Sequence, residues 1–270
     1  MFFCSLFIEQ NRDLCYKGAT GEKKMRVIIS KDKQELGKRA AAEGAALIQR
    51  AIEKKGKANI ILATGASQFE MLESLVKANY VDWQRVTAFH LDEYIAMPES
   101  HPASFRRYLR ERVLAFVPIG EFYPINAETD PEAEVKRVGE IIKRHPIDVA
   151  FVGIGENGHM AFNDPPADFA TEAPYLIVNL DESCRRQQMG EGWFKRLEDV
   201  PTRAVSMSIK QVMKSEWVVC SVPDLRKAQA AKSCLEGPVS PMAPSSCLQN
   251  HERALIFLDQ DSASLLTKYK

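Results

Sequence analysis

The 270-residue sequence carries no net charge, since 36 Lys+Arg balance 36 Asp+Glu. Without a bulk field, long-range attraction to nucleic acid or to an anionic membrane surface is excluded as an organising principle. The chain also lacks the roughly 20 consecutive apolar residues that a helical membrane span requires. Its six cysteines form no C-x-x-C pair, which argues against zinc ligation and a disulfide framework and suits reduced thiols in the cytoplasm. There is no internal repeat, coiled coil, low-complexity run or Pro/Gly-rich linker, so nothing divides the chain into several domains. The apolar start, Met1 to Ile8, is short, has no basic residue before it and shows no cleavage pattern, so it does not read as a signal peptide. Residues 1–24 are expected to be an extension outside the core, and residues 25–270 to form one domain.

From Met25 onward, short β-branched runs alternate with longer helical patterns, the signature of a parallel sheet wrapped by helices. The patterning predicts strands over Arg26–Ser30, Asn59–Ala63, Val86–Leu91, Val149–Ile154, Trp217–Val222 and Ala254–Leu258. Leu36, Ala40, Leu47, Ile48, Ala51 and Ile52 form one apolar stripe at helical spacing. Further helices are predicted over Phe69–Lys77, Ser104–Phe116, Pro131–Arg144 and Asp224–Leu235. The fold class is therefore α/β: a single-domain, mostly parallel sheet with helices on both faces, of Rossmann-like type.

Open α/β sheets bind ligands outside the carboxyl ends of their strands, and three strand ends here are unusual. Ala63-Thr64-Gly65-Ala66-Ser67 is a small-residue turn opening a helix, either a plain connection or a set of free N–H groups able to hold a phosphate. It lacks the G-K-[ST] ending of a nucleotide P-loop. Phe89-His90-Leu91-Asp92-Glu93-Tyr94 places Asp92 and Glu93 on opposite faces, so they cannot act as one carboxylate pair. His90 and Asp92 share a face and read as a hydrogen-bonded structural pair rather than a metal site, while a strand-end carboxylate alone suits proton abstraction. Gly153 to Pro166 contains G-x-G-x-x-G, but Pro165-Pro166 arrives too soon for the helix that dinucleotide binding needs. What remains is a glycine-rich loop presenting His159, Asn163 and Asp164 within six residues, and on its own His159 reads as a solvated loop histidine.

Taken together with Ser246-Cys-Leu-Gln249 and His251, and with His101-Pro-Ala-Ser-Phe105 after the second motif, these segments resemble the glucosamine-6-phosphate deaminase (isomerase) family. That family shares its fold with the 6-phosphogluconolactonases, and the resemblance runs from about Met25 to Asp259. The Asp-Glu-Tyr and Gly-His-x-Ala-Phe-Asn forms favour the deaminase branch. The resemblance implies conversion of glucosamine 6-phosphate and water to fructose 6-phosphate and ammonia, with no metal and no organic cofactor. By position it implies that Asp92 moves the C2 proton to C1, that His159 opens the sugar ring, and that Asn157 and Asp164 support His159. It assigns the phosphate to Thr64, Gly65, Ala66 and Ser67 and to Lys227 at the start of a helix.

Departures from the family pattern accompany it. Asp164 stands where Glu is usual, Ser67-Gln68 replaces Thr-Pro, and the phosphate arginine expected after Asp181-Glu-Ser-Cys-Arg185 is missing from Arg186-Gln-Gln-Met-Gly-Glu-Gly-Trp193. Arg185 or Arg186 is the candidate substitute, with surface charges as the alternative. This stretch points to a divergent subgroup whose sugar phosphate differs in its C2 substituent. Two other readings stand beside the deaminase: a 6-phosphogluconolactonase-like hydrolase, and a catalytically silent sugar-phosphate sensor. The expected partner is a small sugar phosphate, not nucleic acid or membrane, and relatives ranging from monomers to hexamers leave a homo-oligomer open. The segment from Pro165 to Thr171 is the expected lid.

Overall fold

The computed structural model describes residues 25–269, so the extension expected over residues 1–24 lies outside the described residues. β1 (Arg26–Ser30) leads into α1 (Lys33–Lys55), whose start is set by Asp32, which accepts the Glu35 N–H at 2.8 Å. That bond satisfies one of the donors every helix leaves free at its start. The helix stops at Gly56, whose φ of 77° is a left-handed conformation open to a residue without Cβ. The apolar stripe of α1 is buried along its length, as its period requires. There follow β2 (Ala58–Leu62), α2 (Phe69–Leu75), β3 (Val86–His90), β4 (Asp92–Tyr94), α3 (Phe105–Leu109), β5 (Glu121–Tyr123), α4 (Pro131–Ile142), β6 (Val149–Val152), β7 (Tyr175–Asn179), α5 (Glu182–Gly190), β8 (Arg203–Met207), α6 (Ile209–Met213), β9 (Trp217–Val222), α7 (Ala228–Glu236) and β10 (Ala254–Asp259). The helix expected over Ser104–Phe116 is α3 continued by a wider π-type turn, Arg110–Leu114. A tight turn, Leu225–Lys227, precedes α7.

Seven strands form one parallel sheet in the order β1-β10-β9-β6-β2-β3-β5. β2 and β3 are buried at every position, which explains their continuous apolar runs. Alternate residues go to opposite layers: Ile60 and Leu62 pack with the stripe of α1 and with Met71 and Leu72 of α2, whereas Ile61 packs with Val138 and Ile142 of α4. From β2 the sheet grows through β3 to β5 in one direction, then restarts at β6 on the other side of β2 and grows toward β10. The crevice between β2 and β6 is thus the point of reversal, where the turns after both strands must diverge.

A second sheet, three-stranded and antiparallel in the order β4-β8-β7, is absent from the sequence-based expectations. β4 follows β3 after only Leu91, whose N–H still bonds Leu62 O while its own carbonyl accepts from Met207. The chain therefore switches sheets at Leu91. Over this small sheet lie Tyr94, Phe105, Phe162, Cys184 and Phe194, a satellite core that attaches α5 to the main body.

Candidate active site

At the β2–β6 crevice, a cavity of about 60 Å³ is bounded by Thr64, Gly65 and Ser67, by Asp92, by Gly155 and His159, and by Lys227. These four segments, far apart in sequence, converge there because each follows the carboxyl end of a strand of the main sheet. The two sides touch closely: a Cβ at Gly153 would stand 3.1 Å from Ser67 Oγ and from Gln68 Nε2. Gly65 has φ 96° and its carbonyl accepts the Tyr108 hydroxyl at 3.0 Å, which holds the turn after β2 in shape.

Asp92 is 6% exposed, and its Oδ1 has no hydrogen-bond partner among the described residues. Burial, and then the neighbouring charge of Glu93, push its carboxyl up to about 8. Glu93 points the other way, as the alternation predicts. Its carboxylate accepts from Ser104 Oγ, from the Phe105 and Arg106 amides and from Arg106 Nε. That buried knot locks β4 to the start of α3 and leaves Asp92 alone as the unpaired acid. The His90–Asp92 structural pair is not found: His90 Nδ1 instead accepts the Ile125 amide at 3.4 Å, and burial followed by the Arg106 charge pushes the imidazole down to about 3.

His159 lies flat on Gly155, where a Cβ would come within 2.2 Å of the imidazole, so this glycine is a requirement of the ring's position. Its Nδ1 stands 3.3 Å from Asp164 Oδ1. Asn157 joins the two, accepting the His159 amide on Oδ1 and donating from Nδ2 to Asp164 Oδ1, each at 3.0 Å. Asp164 therefore faces the ring without a hydrogen bond to Nδ1, which has no partner among the described residues. Burial alone would raise the Asp164 pKa, but contact with His159, the Asn157 amide and the Asp181 N–H together hold it below the ordinary carboxylate range. Ser245 Oγ donates to the His159 carbonyl at 3.1 Å, and Gln249 Nε2 to the carbonyls of Cys234 and Gly237, so the last motif braces the loop and its neighbour helix from behind.

Among the described residues, His159, Asp164 and Cys184 are the group whose donor atoms, all within 4.8 Å, could approach one ion. Burial pushes the Cys184 thiol far up, and a protonated thiol is a poor ligand. Both Asp164 oxygens already accept protein donors, one from Asn157 Nδ2 and the other from the Asp181 amide.

Lys227 is 3% exposed and lines the cavity as expected. The two candidate arginines do not. Arg185 donates to the carbonyls of Leu197 and Val200, and Arg186 pairs with Glu182 in solvent. The helical period turns both away, since the face of α5 over the cavity carries Gln187 and Gln188 and continues to Glu191. The lid expected over Pro165 to Thr171 does not border the cavity either; Ala167 donates to Pro241 O, and Asp168 Oδ1 binds the amides of Ala170 and Thr171. Sequence reasoning missed Glu191 because it sought a cation in that stretch.

Residues 31–257 match the family described as glucosamine-6-phosphate isomerases/6-phosphogluconolactonase. A glucosamine-6-phosphate deaminase of Listeria monocytogenes is 37% identical over 243 residues, spanning 88% of this chain and 99% of that protein. One from Bacillus cereus is 34% identical over 245 residues, 90% of each. Among solved structures, a monomeric glucosamine-6-phosphate deaminase matches with a TM-score of 0.81 and 27% identity over 90% of this chain and all of that one, 100%. The 6-phosphogluconolactonase of Trypanosoma brucei matches at 0.73 with 17% identity over 90% and 99%, a likeness of fold. With nearly the whole described core matched in sequence and in shape, this chain belongs to the glucosamine-6-phosphate isomerase/6-phosphogluconolactonase family.

Proposed function

We propose that the chain converts glucosamine 6-phosphate and water to fructose 6-phosphate and ammonia. The observation that carries this reading is the unpaired, buried Asp92 carboxyl facing the same cavity as the His159–Asp164 pair. His159, braced by Asn157 and Asp164, exchanges a proton with the ring oxygen and opens the pyranose. An imidazole suits this because its two ring nitrogens can accept a proton and donate one. Asp92 removes the C2 proton of the open aldehyde, giving a C1–C2 enolamine, and returns it to C1. The imine left at C2 is hydrolysed by water, which supplies the ketone oxygen and releases ammonia. A base on a strand end is held rigidly enough to reach both carbons in turn. The phosphate is assigned to the turn Thr64, Gly65, Ala66 and Ser67, with Lys227 as the cation.

The enzyme is further proposed to work in the cytoplasm, because the described cysteines, Cys184, Cys220, Cys234 and Cys247, are all free and buried. No described helix is long and apolar enough to cross a membrane.

The test is incubation with glucosamine 6-phosphate, following ammonia and fructose 6-phosphate, with Asp92→Asn as control. Stoichiometric products from the wild type, and a loss of at least about 100-fold in the variant, are expected. Absence of ammonia, or equal turnover by the variant, defeats the reading. Hydrolysis of 6-phosphogluconolactone without ammonia release would move the chain to the other branch.

A further inference from the structure

The phosphate cradle already holds an anion of the protein's own. Glu191, the residue that ends α5, places Oε2 3.4 Å from the Ala66 amide and directly over Gly65, where a Cβ would stand 3.7 Å from that oxygen. The Trp193 indole N–H donates to the same oxygen at 3.3 Å, and Gln187 Nε2 donates to Oε1 at 2.9 Å. Burial lowers the Lys227 pKa, and the first charge opposing that effect is the carboxylate of Glu191. A carboxylate held by a turn amide above a left-handed glycine, beside a buried lysine, has the surroundings assigned above to the phosphate. The cavity left around it, about 60 Å³, is far below the roughly 300 Å³ of the smallest ordinary ligand pockets.

We propose that Glu191 is a tethered competitor for the phosphate site, a specificity-determining residue that any phosphorylated sugar must displace before it binds. The proposal rests on the sugar-phosphate reading of the Ala63 to Ser67 turn. Two anions cannot share one amide turn and one lysine, so phosphate entry requires the Glu191 side chain to leave. Two of the three contacts it gives up are long, 3.3 and 3.4 Å to Oε2, near the limit of useful hydrogen bonding, and the 2.9 Å bond from Gln187 is made at helical i, i+4 spacing and not by the turn. A phosphate offers more acceptor oxygens and more charge to the same donors. Departure of Glu191 also frees the Trp193 indole N–H. The Trp193 ring packs edge-on against Phe69 and Tyr108, so the displacement is coupled to an aromatic cluster beside the turn.

The experiment uses inorganic phosphate as the probe and needs no turnover. Calorimetric titration of the wild type, Glu191→Gln and Glu191→Ala is expected to show at least tenfold tighter phosphate binding in both variants. Glu182→Gln, which removes an equal charge from the outer face of α5, is expected to match the wild type. In parallel, phosphate should shift the tryptophan emission of the wild type, and Trp193→Phe should abolish the shift. With glucosamine 6-phosphate the gain should appear in KM rather than in kcat. If Glu191 merely braces α5, both variants bind phosphate equally or more weakly, and that result overturns the proposal. So does phosphate that saturates the wild type without changing the Trp193 signal. Tighter phosphate binding in variants of a protein that releases no ammonia would uphold the competitor while removing the deaminase reading.

Discussion

Asp92 shows how a single residue couples catalysis to stability. A carboxyl pushed up to about 8 by burial is neutral through most of the physiological range, whereas a general base must be ionised. The expected consequence is that kcat/KM rises with pH and levels off above about pH 8, measurable as a pH–rate profile with substrate well below KM. The sign for stability is the opposite. Because the folded-state pKa lies above the unfolded one, the stabilising contribution is complete below about pH 4, where both states are protonated. It is lost as pH rises toward 8, because the unfolded chain releases a proton that the folded chain retains. Asp92→Asn has no such loss, so its melting temperature should match the wild type near pH 4 and exceed it by several degrees at pH 8. Each pKa unit is worth about 1.4 kcal/mol, so a flat difference across that range would refute the burial argument. Asp92, Asn157, His159 and Asp164 were named as a set by the family resemblance and not by local pattern, and the structure places them around one crevice. Glu191 was not named, since a carboxylate beside an anion turn contradicts the charge logic by which the stretch was searched.

Elements with strong patterning were read to within a few residues: β1 and β9 from β-branched runs, β10 from an aliphatic one, α1 from its stripe, α4 from Pro131 in its first turn. The antiparallel sheet was missed for a physical reason. Its strands pair across long loops, β4 is three residues long, and nothing local distinguishes it from the end of β3. Helix α5 escaped for another. Only Cys184 and Gln188 of its residues are buried, so it has no apolar stripe, and its one local signal is the cap Asp181, which accepts the Cys184 amide at 2.6 Å. A helix held by a cap, by the Arg185 bonds to Leu197 and Val200, and by little apolar area sits at the weak end of the structure. Asp181→Ala should therefore cost about 1 kcal/mol and raise amide exchange over α5 while leaving β6 protected. Hydrogen exchange with peptide resolution reads both. Uniform deprotection across β6 as well would mean that α5 is part of the cooperative core and not the cover over the cavity.

At the scale of the whole molecule, the balanced charge acquires a structural meaning. On the proposed reading, the turn amides and the lysine at the cavity are local donors, so no basic surface is needed to gather a small anion into a crevice built from four strand-end segments. That crevice exists because of the strand order, and the order pairs the first and last strands of the described residues. β1 has β10 as its sheet neighbour, and β10 in turn lies between β1 and β9. All six residues of β10 are buried, contributing Leu255 and Phe257 to one layer and Ile256 and Leu258 to the other. Removing it would strand β1 with unpaired backbone groups and expose both cores, and unpaired buried donors are costly in a sheet. A chain cut before Ala254 is thus expected to lose its fold entirely, whereas the intact protein should melt in a single endotherm whose calorimetric and van't Hoff enthalpies agree. Two resolved transitions would show that the β2–β3–β5 half folds independently of the β6–β9–β10 half. The active site would then be assembled at an interface between two units instead of within one cooperative sheet.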